Sequence, residues 1–154
     1  MPPRHATFRQ MFDELTDEED DRWCVAQRQQ VLAYLSEEGF EAPNVGEWPA
    51  WHVAPLISIW VVESVERPDS VGWWVVSGDF PTDYTTCEGE RHPRQALRDI
   101  GSRWRDAAAR WADGKSAVGW SLRNPDQERE LVPLLAARAE LFLSMAEDGS
   151  NWEE

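Results

Sequence analysis

Apolar residues recur with two different periods along the chain, and each period predicts a different kind of element. From residue 17 to residue 38 they follow the helical period, so one face of a helix is expected to pack on the core. This helix is predicted to begin near Asp17, because Thr16 and Glu19 have capping-box spacing, and to end at Gly39. Its apolar arc contains Cys24, Val31, Leu32 and Leu35.

Two later segments, Leu56–Ser64 and Val71–Ser77, are apolar on both alternating faces. This pattern predicts an antiparallel hairpin that is covered on both sides by other parts of the protein. Since two strands are marginally stable alone, a third strand or a sheet that spans a dimer is expected. Gly78 is predicted to break the second strand into a polar turn, Ser77–Tyr84, which contains Pro81.

The segment that precedes the hairpin, residues 41–55, is predicted to be an ordered loop. It holds three prolines and Gly46, which disfavour a regular helix or strand. Two aromatic residues, Trp48 and Trp51, belong to this loop. Because the loop leads directly into the first strand, these side chains are expected at the edge of the hairpin.

The C-terminal part of the chain is predicted to be helical. A helix over Pro93–Ala112 has the clearest apolar stripe in the sequence, and Pro93 suits its first position. A second helical region begins after Asn124 and is predicted to be divided at Pro133, with the later segment reaching about Glu147. The stripe of the first helix consists of Ala96, Leu97, Ile100, Trp104, Ala107, Ala108 and Trp111.

Together these elements predict an α+β fold with an N-terminal helix, an antiparallel hairpin and two C-terminal helical segments. Residues 16–154 are expected to form one domain, and residues 1–15 a flexible N-terminal arm. The sequence has neither a run of about 18 apolar residues nor an apolar N-terminal stretch. It therefore predicts a cytoplasmic protein without a membrane span or an export signal.

The net charge of −14 limits the kinds of molecule that the protein is expected to bind. It argues against nucleic-acid phosphates and anionic membranes, which repel an acidic protein, and it favours a basic protein partner. The acidic residues are concentrated in the flanks, since residues 1–66 carry −9, residues 67–124 carry +1 and residues 125–154 carry −6. All basic residues except Lys115 are arginines, a bias typical of a GC-rich bacterial genome.

Ten tryptophans in 154 residues point to a binding surface, because tryptophan is enriched at interfaces. Trp60, Trp104 and Trp111 fall at patterned apolar positions and are expected in the core. One of Trp73 and Trp74 is expected at a surface, as are the two tryptophans of the loop. The predicted contact site, for a basic protein or a second copy of the chain, consists of Trp48, Trp51, Ser77, Asp79, Asp83 and Tyr84.

A second class of function is a small metal-dependent or acid/base hydrolase. It would use Asp79, Asp83 and His92, with Glu88 and Glu90 close to them in the chain. The spacing of these residues matches no metal-ligand pattern, and carboxylates in turns more often bond their own backbone. No catalytic residue is therefore assigned.

The cysteines and the remaining histidines predict no further site. Cys24 and Cys87 match no metal-ligand spacing and are expected to be reduced thiols. His5 and His52 have no partner that the sequence identifies. The sequence thus predicts neither a bound metal ion nor a cofactor.

Four motifs carry a resemblance to a known family: Gly46–Trp51, Val71–Trp74, Ser77–Tyr84 and His92–Arg94. Over roughly Trp23 to Trp152 the chain resembles a bacterial family of uncharacterised small proteins, domain of unknown function 4826. The resemblance implies one domain and a bacterial source, and it implies no activity. Two functions therefore stay open, the hydrolase and a non-catalytic acidic interaction module comparable to an immunity protein or an inhibitor.

Overall fold

The computed structural model describes residues 15–87, 92–117 and 124–152. Within these ranges, three α-helices and a four-stranded antiparallel sheet confirm the predicted α+β class. One helix covers one face of the sheet, and the other two pack together on the opposite face. In chain order the elements are α1 (Asp17–Glu37), β1 (Trp51–Val53), β2 (Ile57–Glu63), β3 (Val71–Gly78), β4 (Phe80–Thr86), α2 (Pro93–Ala112), α3 (Pro125–Glu147) and a 3₁₀ turn (Gly149–Asn151).

The start of α1 is fixed by the predicted capping box. The Thr16 hydroxyl accepts a hydrogen bond from the Glu19 backbone N–H at 3.1 Å, and the Glu19 carboxylate accepts one from the Thr16 N–H at 3.3 Å. These bonds satisfy two donors that a helix N-terminus otherwise leaves unpaired, and they lower the pKa of Glu19. The predicted arc faces the sheet, with Cys24, Val31 and Leu35 buried and Leu32 half-buried.

The sheet is a meander in which each strand pairs antiparallel with the next, in the order β1–β2–β3–β4. Strands β2 and β3 are the predicted hairpin, which begins one residue later and ends one residue later than expected. Strands β1 and β4 extend it on its two sides. The expected third strand is therefore present in this chain, together with a fourth.

The prediction of a polar turn over Ser77–Tyr84 is wrong. The chain reverses at Asp79 and returns at once as β4. Gly78 permits this reversal, since a Cβ atom there would lie 2.0 Å from the Leu56 carbonyl oxygen. Pro81 is tolerated because β4 is an edge strand and its pairing with β3 is irregular near this proline.

The predicted loop over residues 41–55 is only partly irregular, because its end forms β1. Three residues suffice for this strand because β2 supplies the pairing partners. Arg28 of α1 holds the earlier part of the loop. Its Nε donates to the Gly46 carbonyl and its Nη2 to the Val45 carbonyl, each at 3.0 Å. The guanidinium therefore links α1 to the segment that leads into the sheet.

Two hydrophobic clusters, one on each face of the sheet, confirm that both faces of the hairpin are covered. The larger cluster lies between the sheet and the α2–α3 pair. At its centre the rings of Phe80, Trp104 and Phe142 contact one another, with centroids 5.0, 5.2 and 5.5 Å apart. The smaller cluster joins α1 to the other face through residues such as Leu35 and Trp60.

Helix α2 has the predicted boundaries, and all residues of its predicted apolar stripe are buried. The predicted division at Pro133 is wrong, because α3 runs without interruption over Pro125–Glu147. Pro133 is exposed, so water can bond the backbone carbonyl that loses its helical partner. Packing of Leu131 before the proline and of Leu135 after it on the same core then holds the helix together on both sides.

The predicted N-terminal arm, residues 1–15, lies outside the described residues except for Leu15. Among the helices that the structure describes, none combines the length and the apolar composition needed to cross a bilayer.

We predict that Trp104→Ala lowers the free energy of unfolding by about 3–5 kcal/mol, the range for a large aromatic side chain in a core. Trp104 is fully buried between the sheet and α3. Urea denaturation followed by circular dichroism measures this loss. The control is Trp48→Ala, at a side chain that is 51% exposed, which should cost less than about 1 kcal/mol. Similar losses in the two variants would contradict the assignment of Trp104 to the core.

Candidate functional site

The six residues of the predicted contact site do not form one surface. Successive residues of a strand point to opposite faces of the sheet, so Asp83 faces α2 while Tyr84 faces α1. Ser77 is fully buried on the α1 face, where its hydroxyl lies 2.8 Å from that of Ser58. The sheet itself therefore separates Asp83 from Ser77 and Tyr84.

Asp83 is a buried acid with a structural role, since only 3% of the residue is exposed. Its Oδ2 accepts hydrogen bonds from Arg103 Nη2 at 2.7 Å and from Trp104 Nε1 at 2.9 Å. Its Oδ1 accepts from the Tyr84 backbone N–H at 2.9 Å. Because three donors satisfy the carboxylate, its charge is compensated inside the fold and is not offered to a partner.

The other members of the predicted hydrolase set also have structural contacts. Asp79 forms a bidentate ion pair with Arg138 of α3, with N···O distances of 3.0 and 2.7 Å. His92 caps α2, since its Nδ1 accepts a hydrogen bond from the Arg94 backbone N–H at 3.2 Å. Glu88 and Glu90, the remaining candidates, lie outside the described residues.

The two tryptophans of the predicted loop differ in environment. Trp51 packs against Trp152 with ring centroids 4.6 Å apart, and its Nε1 donates to the Asn151 carbonyl at 3.2 Å. It therefore closes the junction between β1 and the C-terminal turn. Of the six predicted residues, only Trp48 and Asp79 are exposed.

A different surface feature has the properties of a binding site. A groove of about 500 Å³ opens where α1 ends and β2 leads into the turn before β3. This volume lies within the range of small ligand pockets. We call this feature the acidic groove, and its principal lining residues are Glu38, Phe40, Glu41, Glu63, Val65 and Trp73.

The electrostatic character of the acidic groove is uniform. Three carboxylates, Glu38, Glu41 and Glu63, line it, and none of its described lining residues is lysine or arginine. The C-terminus of α1 reaches the groove at Glu38 and has no basic residue in its last turn. Its partial negative charge therefore adds to that of the carboxylates, and the groove favours a cation.

The apolar side of the groove is aromatic. Trp73 meets Phe40 edge to face, with centroids 5.1 Å apart and ring planes at 84°. Phe40 in turn packs on Tyr84 at 5.4 Å. Aromatic faces attract cations through their quadrupoles. Trp73 is also one of the two tryptophans that the sequence left undecided, and the other, Trp74, is buried on the opposite face.

A second polar cluster lies near the N-terminal end of α1. His52 Nε2 is 2.7 Å from Asp20 Oδ1, and Cys24 Sγ is 3.6 Å from the same oxygen. The Trp23 ring stacks on the His52 ring, with centroids 6.3 Å apart and planes at 24°. Burial raises the pKa of the Cys24 thiol to about 12, so the thiol is protonated at neutral pH.

Both features escaped sequence reasoning because each joins segments that are distant in the chain. Asp20 and His52 are separated by 32 positions and meet only because β1 lies beside α1. The i, i+4 spacing of Asp20 and Cys24 did place these two on one helix face, which was a usable signal. The contact of His52 with Asp20 requires β1, whereas the sequence predicts a loop at this position.

A family match covers most of the chain. Residues 17–152, from the start of α1 to Trp152, match the family described as Domain of unknown function (DUF4826). The match confirms the resemblance carried by the four sequence motifs. No curated protein and no solved structure matches the chain significantly.

We predict that Asp83→Ala lowers the free energy of unfolding by about 3–5 kcal/mol, because it removes the buried carboxylate that accepts from Trp104 Nε1 and leaves Arg103 with only the Tyr84 carbonyl. The matched control is Asp79→Ala, which removes an acid from the turn between β3 and β4. The ion pair of Asp79 with Arg138 is accessible to solvent. This change should cost less than about 1 kcal/mol. Urea denaturation compares the two variants, and an equally small loss in both would mean that the Asp83 contacts are not structural.

Proposed function

The chain belongs to the DUF4826 family, and we propose that it is a non-catalytic binding module whose acidic groove receives an arginine-bearing segment of a basic protein. The observation that carries this proposal is the charge of the groove. Glu38, Glu41 and Glu63 converge on it without a cationic side chain among the described lining residues. Like charges held together in this way favour a partner that neutralises them.

An arginine side chain fits the chemistry of this groove. Its planar guanidinium can form paired hydrogen bonds with a carboxylate and can stack on an aromatic face, as Trp73 offers here. Phosphate-bearing and membrane partners are disfavoured by the same carboxylates. The rim also offers apolar surface, since Val65 is 82% exposed. A segment that combines arginine with an apolar residue would therefore contact both parts of the groove.

The groove continues into a neighbouring depression, which supports an extended segment as its occupant. This depression has a volume of about 460 Å³ and shares Ser64, Val65 and Trp73 with the acidic groove. A peptide that crosses Trp73 would thus find contact surface on both sides of the ring. Net charge would assist its approach, because a chain at −14 steers basic molecules toward itself.

The proposal keeps the class of function expected from the sequence and moves its site. The site proposed here is formed by the end of α1 and the β2–β3 turn. It replaces the surface expected from the sequence, which consisted of Trp48, Trp51 and residues in and next to β4. The hydrolase alternative has no supporting geometry among the described residues, because Asp79, Asp83 and His92 each have structural contacts.

We predict that a short peptide with two arginines flanking a leucine binds the acidic groove and shifts the indole N–H resonance of Trp73. The Glu38→Gln, Glu41→Gln, Glu63→Gln triple variant should bind this peptide at least about tenfold more weakly, since hydrogen bonds to charged groups contribute about 1.5–3 kcal/mol each. Calorimetric titration gives the affinities, and Trp73→Phe assigns the resonance.

The control is a second triple variant, Glu18→Gln, Glu130→Gln and Glu147→Gln, which removes the same charge from exposed positions elsewhere. It should retain the affinity within about threefold, because salt screens distant surface charges. Equal weakening in both triples would show only general charge attraction and would overturn the proposal. A dimer in sedimentation experiments that the groove triple abolishes would instead identify a second copy of the chain as the occupant.

A further inference from the structure

The cluster of Asp20, Cys24 and His52 has a composition that suits a metal ion. We infer that these three residues form a binding site for a divalent transition-metal ion of the zinc class. One oxygen, one sulfur and one nitrogen ligand atom lie within 4.8 Å of one another. Thiolate, imidazole and carboxylate are the ligand types that zinc uses in proteins. The sequence predicts no bound metal ion, and it identifies neither a ligand spacing for Cys24 nor a partner for His52, so this inference departs from that expectation.

The fold brings the three ligands to one place by two independent elements. Asp20 and Cys24 are four residues apart on α1, so they project from the same face one turn from each other. His52 is the central residue of β1 and points toward α1, as its contact with Asp20 shows. The stacked ring of Trp23 fixes the orientation of the imidazole. Ligands held on a helix and a strand in this way are pre-positioned.

The two ligand distances that involve Asp20 are close to those that a tetrahedral ion requires. With metal–sulfur and metal–nitrogen bonds of about 2.3 and 2.0 Å, neighbouring ligand atoms lie about 3.3–3.6 Å apart. The distance of 3.6 Å from Cys24 Sγ to Asp20 Oδ1 already has this value. The hydrogen bond of 2.7 Å between His52 Nε2 and Asp20 Oδ1 would open by about 0.6 Å as the ion replaces the shared proton. The Cys24 thiol would bind as the thiolate and release its proton to solvent. Side-chain rotation alone can supply this change.

The buried face of α1 also carries, about one turn beyond Cys24, an acceptor that is unpaired among the described residues. Gln27 follows Cys24 by three residues on the buried face of α1, and its Oε1 has no hydrogen-bond donor among the described residues. Buried acceptors are rarely left without a donor unless a ligand or water supplies one. Three protein ligands also leave the fourth position of a tetrahedral ion open to water, which can donate such a bond.

The site is independent of the proposed function. It lies in the first turns of α1, whereas the acidic groove begins at Glu38. Along the helix axis, Glu38 is about 27 Å from Asp20. The two proposals can therefore fail separately. The competing interpretation is that the bond between Asp20 and His52 only fastens β1 to α1, with no ion involved.

Cobalt(II) distinguishes the two interpretations, because it replaces zinc and gives a near-ultraviolet charge-transfer band when a thiolate binds it. The full chain, freed of any purification tag, is expected to bind one equivalent with this band, and zinc should displace it. Cys24→Ala should abolish the band, and His52→Ala should weaken cobalt binding by more than about 100-fold, beyond the loss typical of groups that merely support a ligand.

Two control variants preserve the site. Cys87→Ser removes the other thiol, and His92→Asn removes another histidine while keeping a residue that caps helices well. Both should bind cobalt as the parent does. A circular-dichroism spectrum of each variant without metal verifies its fold, and if Cys24→Ala does not fold, His52→Ala carries the test. The inference is overturned if no stoichiometric band forms, if the band survives Cys24→Ala, or if Cys87→Ser abolishes it.

Discussion

The buried carboxylate of Asp83 is the interaction on which the rest of the structure depends. It belongs to the edge strand β4, yet both hydrogen-bond donors of its Oδ2 come from α2, namely Arg103 and Trp104. Without this acceptor, the buried indole N–H of Trp104 would lose its hydrogen bond to the carboxylate, and the half-buried guanidinium of Arg103 would keep only the Tyr84 carbonyl. Because Trp104 contacts Phe80 and Phe142, the same carboxylate also determines how the two C-terminal helices lie on the sheet. A polar bond thus sets the geometry of an apolar core.

The helices could be predicted from the sequence because their signals are local. The capping box at Thr16 and the apolar stripe of α2 each lie within one segment and were read correctly. Strand β4 could not be predicted in this way. Pro81 and Asp83 are poor strand formers and interrupt the strand-forming Phe, Thr and Tyr residues around them, so the strand depends on its pairing with β3. The same holds for Pro133, whose helix is maintained by contacts with distant residues rather than by its own sequence.

The acidic groove has the charge and the aromatic character of the surface that the sequence predicts, but it lies at other residues. The charge of the chain and the number of tryptophans indicated an acidic, aromatic binding surface, and Trp73 was among the residues considered. The sequence places Ser77 and Asp83 on that surface because polar residues after a strand resemble a turn. Their actual partners, Ser58 and Arg103, lie on other elements, and no local pattern announces such pairs. Each end of α1 also meets a loop or strand that is distant in the chain, at the acidic groove and at the cluster of Asp20, Cys24 and His52. These contacts exist only in the folded chain.

The proline in β4 has a further effect beyond its misleading appearance in the sequence. Pro81 lacks a backbone N–H, so the outer side of this edge strand cannot present an unbroken row of donors. At the opposite margin, β1 is only three residues long. Both margins are therefore poor templates for an incoming strand, and the sheet resists the edge-to-edge growth that leads to fibrils. A partner that would add a strand to the sheet is disfavoured at both margins, which favours recognition through side chains.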